Sequence, residues 1–155
     1  MTRLTGRISP HFTWNEMLQS NTASRLGISN QPSLFAASNL TRLAYMGIEP
    51  VRKHFGKPAR VTSGYRSPSL NRAIGGSVTS NHSIGCAVDF ELTDVDNYDV
   101  ALWMTKNLPE FDEIILEAYT GEPNSGWIHC AIRPENNRHR TMTWDRKKYM
   151  KGLVK

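Results

Sequence analysis

The 155 residues are enough for a single domain over 1–155 with a hydrophobic core of its own, and 39% hydrophobic with 21% charged residues describes a globular chain. No run of about 18 apolar residues occurs, which excludes a membrane-spanning helix, and Met1 to Pro10 has no apolar signal segment, so synthesis in a cytoplasm without a signal peptide is predicted. A net charge of +5 suits either plain solubility or an anionic partner; with no basic-aromatic repeat and no nucleic-acid motif, no nucleic-acid partner is predicted.

Residues 1–10 read as a loose N-terminal arm. Thr13 and Glu16 fit a capping box, with Phe12 before the cap placed to staple onto Met17. A short helical turn is expected over Thr22 to Leu26. Leu34, Leu40, Leu43, Ala44, Met46 and Gly47 share a 3.6-residue period, so a helix is predicted from about Ser33 to Phe55, kinked or divided at Pro50. Val61 and Thr62 mark a short strand ending at Gly64, and Pro68 opens a helical turn to Ile74. Gly75-Gly76-Ser77 is a flexible connection. Ala87 to Leu92 alternates as a strand. Tyr98 to Leu108 is predicted helical, with Val100, Leu102, Trp103 and Leu108 inward. Phe111 to Ala118 and Trp127 to Ile132 are two apolar runs around a Gly/Pro-rich loop, which is a hairpin signature. The order describes an α+β fold with a small, largely antiparallel sheet flanked by helices. Residues 134–155 read as a basic C-terminal tail.

Chemistry concentrates in Ser80 to Asp89, where His82 stands seven positions before Asp89, and in His129, forty positions further on. Two histidines and one carboxylate make a three-ligand set for zinc with the fourth position open. Spacing alone leaves each histidine readable as a structural or surface residue, and Trp127 as core. Strand parity puts Asp89 and His129 on one face and Cys86 and Cys130 on the other, so the cysteines are expected as buried hydrophobes. His82 has the wrong parity for that strand and must come from the preceding loop, where Gly85 permits a tight turn. His11, His54 and His139 have no partner pattern and are expected at the surface.

Ser80-x-His82-x-x-Gly85-x-Ala87-x-Asp89 followed by Trp127-x-His129 resembles the signature of the zinc D-alanyl-D-alanine carboxypeptidase family, which shares its fold with the Hedgehog signalling domain and includes phage endolysins that cut peptidoglycan stem peptides. Ser63-Gly64-Tyr65-Arg66-Ser67, Phe12 to Met17 and Thr22 to Ile28 extend the similarity over roughly 9–133, toward small phage or prophage members. The resemblance implies zinc held by His82, Asp89 and His129. It implies Arg66 as a catalytic and substrate-binding guanidinium, with Ser80 and Trp127 beside the substrate; Ser80 is expected to orient its loop rather than act as nucleophile. It further implies a monomeric peptidase made in the host cytoplasm and acting on bacterial peptidoglycan at the cell wall, where the basic tail could hold it. Several relatives carry an acidic residue three positions before the last histidine, where this chain has Gly126. The general base is therefore sought in Glu117, which ends a strand paired to that of His129, with Glu122 and Glu113 as alternatives. The missing acid at 126 also motivates a second reading, a non-catalytic, zinc-stabilised wall-binding or virion module.

Overall fold

The computed structural model describes residues 3–155. Strand β1 (Arg7–Ser9) pairs with β2 (Phe12–Thr13), so the second half of the expected loose arm belongs to a folded hairpin that buries Ile8, Ser9 and Phe12; residues 1 and 2 lie outside the described part. Helix α1 (Trp14–Leu18) starts on the capping box foreseen from Thr13 and Glu16, and Met17 is buried with Phe12 in the core. Helix α2 (Asn21–Leu26) follows, capped by Ser20.

The long helical stretch is divided, but the break precedes the proline. Helix α3 (Leu34–Leu43) passes through one wide turn with π-type hydrogen bonding at Ala44–Ile48 into α4 (Glu49–Phe55), which has Pro50 in its first turn. Pro50 has no N–H to give the carbonyl one turn back, and its ring would crowd that carbonyl. Widening the turn ahead of it relieves both problems without ending the helix.

Strand β3 (Ala59–Ser63), helix α5 (Pro68–Ala73), β4 (Ala87–Leu92), helix α6 (Asn97–Asn107), β5 (Glu113–Glu117) and β6 (Trp127–Ala131) fall close to their predicted places. The residues read as a basic tail instead carry β7 (Arg140–Trp144) and β8 (Tyr149–Lys151), which complete a six-stranded sheet of order β3-β4-β6-β5-β7-β8. Every pairing in it is antiparallel except β5 with β7. Arg140-Thr141-Met142-Thr143-Trp144 has the alternation of a strand. Arg140 on this strand pairs with Glu113 on β5, and Arg138 just before it pairs with Asp112, while both guanidinium groups stay partly exposed.

One face of the sheet packs on the helices. Val88, Phe90, Ile114, Ile128 and Cys130 join Leu40, Leu43, Val100, Ala101 and Met104 in a continuous core. In α6 and its C-cap, Val100 and Leu108 are buried as expected, joined by Ala101 and Met104, whereas Trp103 only flanks the core and Leu102 stays half-buried. Phe90 is fully buried, and truncating it to alanine would cost about 3–5 kcal/mol. The opposite face is left to the site. Among the described residues no helix is long and apolar enough to cross a membrane.

Candidate metal centre

Register decides which side chains meet on the open face. Asp89 on β4 lies directly opposite His129 on β6, which in turn faces Ile115 on β5 and, beyond it, Met142 on β7. The adjacent rows run Ala87, Ala131, Glu113, Arg140 on one side and Trp127, Glu117, Trp144, Tyr149 on the other. These rows floor a cleft of about 1000 Å³.

His82 reaches the cleft from a single 3₁₀ turn, Asn81–Ile84, that precedes β4. Ser80 caps this turn by accepting from the His82 amide at 3.3 Å, the orienting role expected of it, and it also lines the cleft. Gly85 closes the turn at φ +74, and a Cβ there would lie 2.2 Å from the Ala36 carbonyl oxygen, so position 85 tolerates no side chain. Asn39 on α3 donates to the Ile84 carbonyl at 2.8 Å and fixes the turn against the helix.

His82 is 2% exposed and donates from Nδ1 to the Gly64 carbonyl at 2.7 Å, which leaves Nε2 facing Asp89 Oδ1 at 3.4 Å. His129, 8% exposed, places Nδ1 2.8 Å from the same oxygen. One donor atom from each of His82, Asp89 and His129 lies within 4.8 Å of the others. Burial alone would raise the Asp89 carboxyl, but His82 and His129 outweigh it and hold the group well below the usual carboxylate range. Burial pushes His82 down, against the pull of Asp89. In His129 burial is overcome by Asp89 and Glu113, which raise the ring to about 10. A buried carboxylate shared by two imidazoles is thus an environment that calls for positive charge. The nitrogen and oxygen donors suit zinc, and a structural carbonyl fixes the tautomer of His82 as a ligand requires.

Glu117 lines the cleft at the end of β5, opposite Trp127. Burial and the Asp89 charge push its carboxyl up to about 7, against the pull of His129, the Trp127 side chain and Arg66. Gly126, where the resemblance led an acidic residue to be expected, sits at φ +67, and a Cβ there would fall 1.9 Å from the Glu117 carbonyl oxygen. The hairpin therefore admits no side chain at 126 and offers a carboxylate from the facing strand. Glu122, in the hairpin loop, is not among the residues lining the cleft. Glu113 does line it, but is engaged by Arg138 and Arg140 and faces His129 Nε2 at 3.7 Å.

Arg66 also lines the cleft. Its amide donates to the His82 carbonyl at 3.2 Å, and its Nε is buried without a partner among the described residues. Burial lowers the guanidinium pKa, and Asp89 and Glu117 oppose that shift. The buried Asn30, which the sequence did not single out, pins this loop by donating to the Leu18 and Tyr65 carbonyls and accepting from the Ser67 amide at 2.7 Å. Arg138, Arg140, Met142, Trp144 and Tyr149 line the cleft from the segment expected to be a tail, and Arg133 just before it does so too; the period-two pattern of 140–144 was the available signal.

Cys86 and Cys130 are buried free thiols away from the donors, pushed by burial up to about 11 and about 12, as the strand parity anticipated. His11 and His139 are exposed and pair with Glu49 and Glu110, while the exposed His54 stacks on Trp103.

An α+β sheet that gathers a His-Asp-His donor set and an acidic residue in one cleft has the parts of a metal-dependent hydrolase site. The Peptidase M15 family model matches residues 10–131, most of the chain, and the protein belongs to that family. No curated protein matches the sequence significantly.

Proposed function

We propose that the chain is a zinc-dependent peptidase that hydrolyses a peptide bond in bacterial peptidoglycan stem peptides. The bond is of the D-Ala-D-Ala carboxypeptidase or L-Ala-D-Glu endopeptidase type, and the setting is phage lysis or wall remodelling. What carries the reading is the convergence of His82, Asp89 and His129 with a carboxyl poised near neutrality, Glu117, in one cleft of a Peptidase M15 chain.

His82, Asp89 and His129 would hold the zinc, which when bound supplies a Lewis acid for the scissile carbonyl and makes water more acidic. Glu117 takes the proton of the attacking water and returns it to the leaving amine, a role supported by its place at the end of β5 in the same cleft as the donor set. Arg66 offers its fork of donors to a substrate carboxylate or carbonyl, and its unpartnered Nε supports that role. Trp127 and Ser80 line the same cleft and would lie beside the substrate.

Zymography on purified bacterial walls tests this. Clearing that a chelator abolishes and added zinc restores is expected. A folded, zinc-loaded protein that clears nothing would instead favour the non-catalytic wall-binding module.

A further inference from the structure

Beyond the three donors and Glu117, the described residues contain one more carboxylate directed at the cluster. Accepting the ligand set above, we propose that Glu113, held by Arg138 and Arg140, is a positioning residue that fixes the His129 ring and thereby sets the affinity of the metal site. It ties the centre to β7, which lies outside the family match at 10–131.

His129 turns Nδ1 toward Asp89 and the donor cluster, so Nε2 is its remaining nitrogen. A ring that binds a metal through Nδ1 carries its proton on Nε2, and an N–H this deeply buried needs an acceptor. Glu113 Oε2 faces Nε2 at 3.7 Å, a gap that a small side-chain rotation closes to a hydrogen bond. The two oxygens of Glu113 divide the work. Oε1 receives Arg140 Nη2 and, at 3.1 Å, Arg138 Nη2, while Oε2 is left for the histidine. Arg138 is itself fixed by Asp112, through Nε at 2.9 Å and Nη2 at 2.6 Å. The chain of contacts thus runs from Asp112 through Arg138 to Glu113, with Arg140 joining at the same oxygen, and from Glu113 to His129. With Oε1 held by two arginines and Oε2 facing His129, Glu113 is less free than Glu117 to serve an attacking water. A carboxylate behind a ligand histidine orients the ring and makes it a stronger donor, and losing such a partner typically costs 10–100-fold in metal affinity.

The test measures zinc Kd by competition with a chromophoric chelator, on wild type, Glu113→Gln, Glu113→Ala and Arg140→Met, with thermal unfolding of the metal-free proteins in parallel. Glu113→Ala is expected to weaken zinc about 10–100-fold. Glu113→Gln, whose single amide oxygen can serve either Nε2 or the arginines but not both, should fall between it and wild type, and Arg140→Met should weaken zinc by a few-fold. In the zinc-loaded wild type, NMR should show a His129 Nε2–H that exchanges slowly, and Glu113→Ala should lose that protection. Glu113→Gln is nearly isosteric, so it decides the matter if the alanine variant fails to fold. Zinc affinity within about twofold of wild type in folded Glu113→Gln and Glu113→Ala would overturn the proposal, as would unfolding temperatures that drop while Kd stays put. Wild type that binds no zinc would overturn the ligand set itself, a different failure.

Discussion

Glu117→Gln separates the chemical role of this residue from its structural cost. The carboxyl ionises near 4.5 in an unfolded chain and near 7 in its cleft. Each tenfold in that ratio is about 1.4 kcal/mol, so ionised Glu117 costs the metal-free fold roughly 3 kcal/mol before its contact with solvent is counted, and about 1–2 kcal/mol after. Because its pKa is raised in the fold, the native state binds the extra proton, and wild type loses stability as pH rises through the window from about 4.5 to 7. Metal-free Glu117→Gln should therefore be about 1–2 kcal/mol more stable than wild type at pH 8 and equal to it near pH 4, measured by denaturant unfolding at both pH values. The same variant should keep zinc and lose about 10²–10⁴ in kcat, the usual worth of a general acid-base group. A variant no more stable at pH 8, turning over at the wild-type rate, would refute the assignment and return the role to Glu122 or another group.

Other substitutions probe the remaining parts of the site. His82→Ala, Asp89→Ala and His129→Ala should each abolish zinc loading by elemental analysis, since each removes one of the three donors that cluster among the described residues. Gly126→Glu should destabilise the protein by at least about 2 kcal/mol in thermal unfolding, and should not restore activity to Glu117→Gln, because the backbone at 117–119 occupies the space of a side chain. Arg66→Lys keeps the charge but loses the fork, and kcat/KM should fall about 10–100-fold with zinc content unchanged. Cys86 and Cys130 should resist a thiol reagent in the native protein and react once it is unfolded, given their burial and raised pKa values.

The centre of the site was legible because strand parity is strict. Alternation alone put Asp89 and His129 on one face, sent Cys86 and Cys130 to the core and pushed His82 into the preceding turn, and the register then sets Asp89 and His129 face to face. Local rules also served the start of α1, where Thr13 and Glu16 form the predicted capping box. What stayed hidden depends on long-range pairing. Nothing local says that β7 runs parallel to β5, so Arg140 could not be matched to Glu113, and eight basic residues after Ile132 masked a strand pattern. The emptiness of position 126 looked like a missing base. Its cause is the approach of the Glu117 backbone across the hairpin, a contact that no spacing rule describes.

The most direct test of a zinc peptidase acting on stem peptides is mass spectrometry of muropeptides incubated with the zinc-loaded protein, with and without chelator. Products heavier in sum by one water, cut at a single peptide bond, and absent with chelator or with Glu117→Gln, are the expected result, and their masses name the bond. Muropeptides left intact by folded, zinc-loaded protein would contradict it.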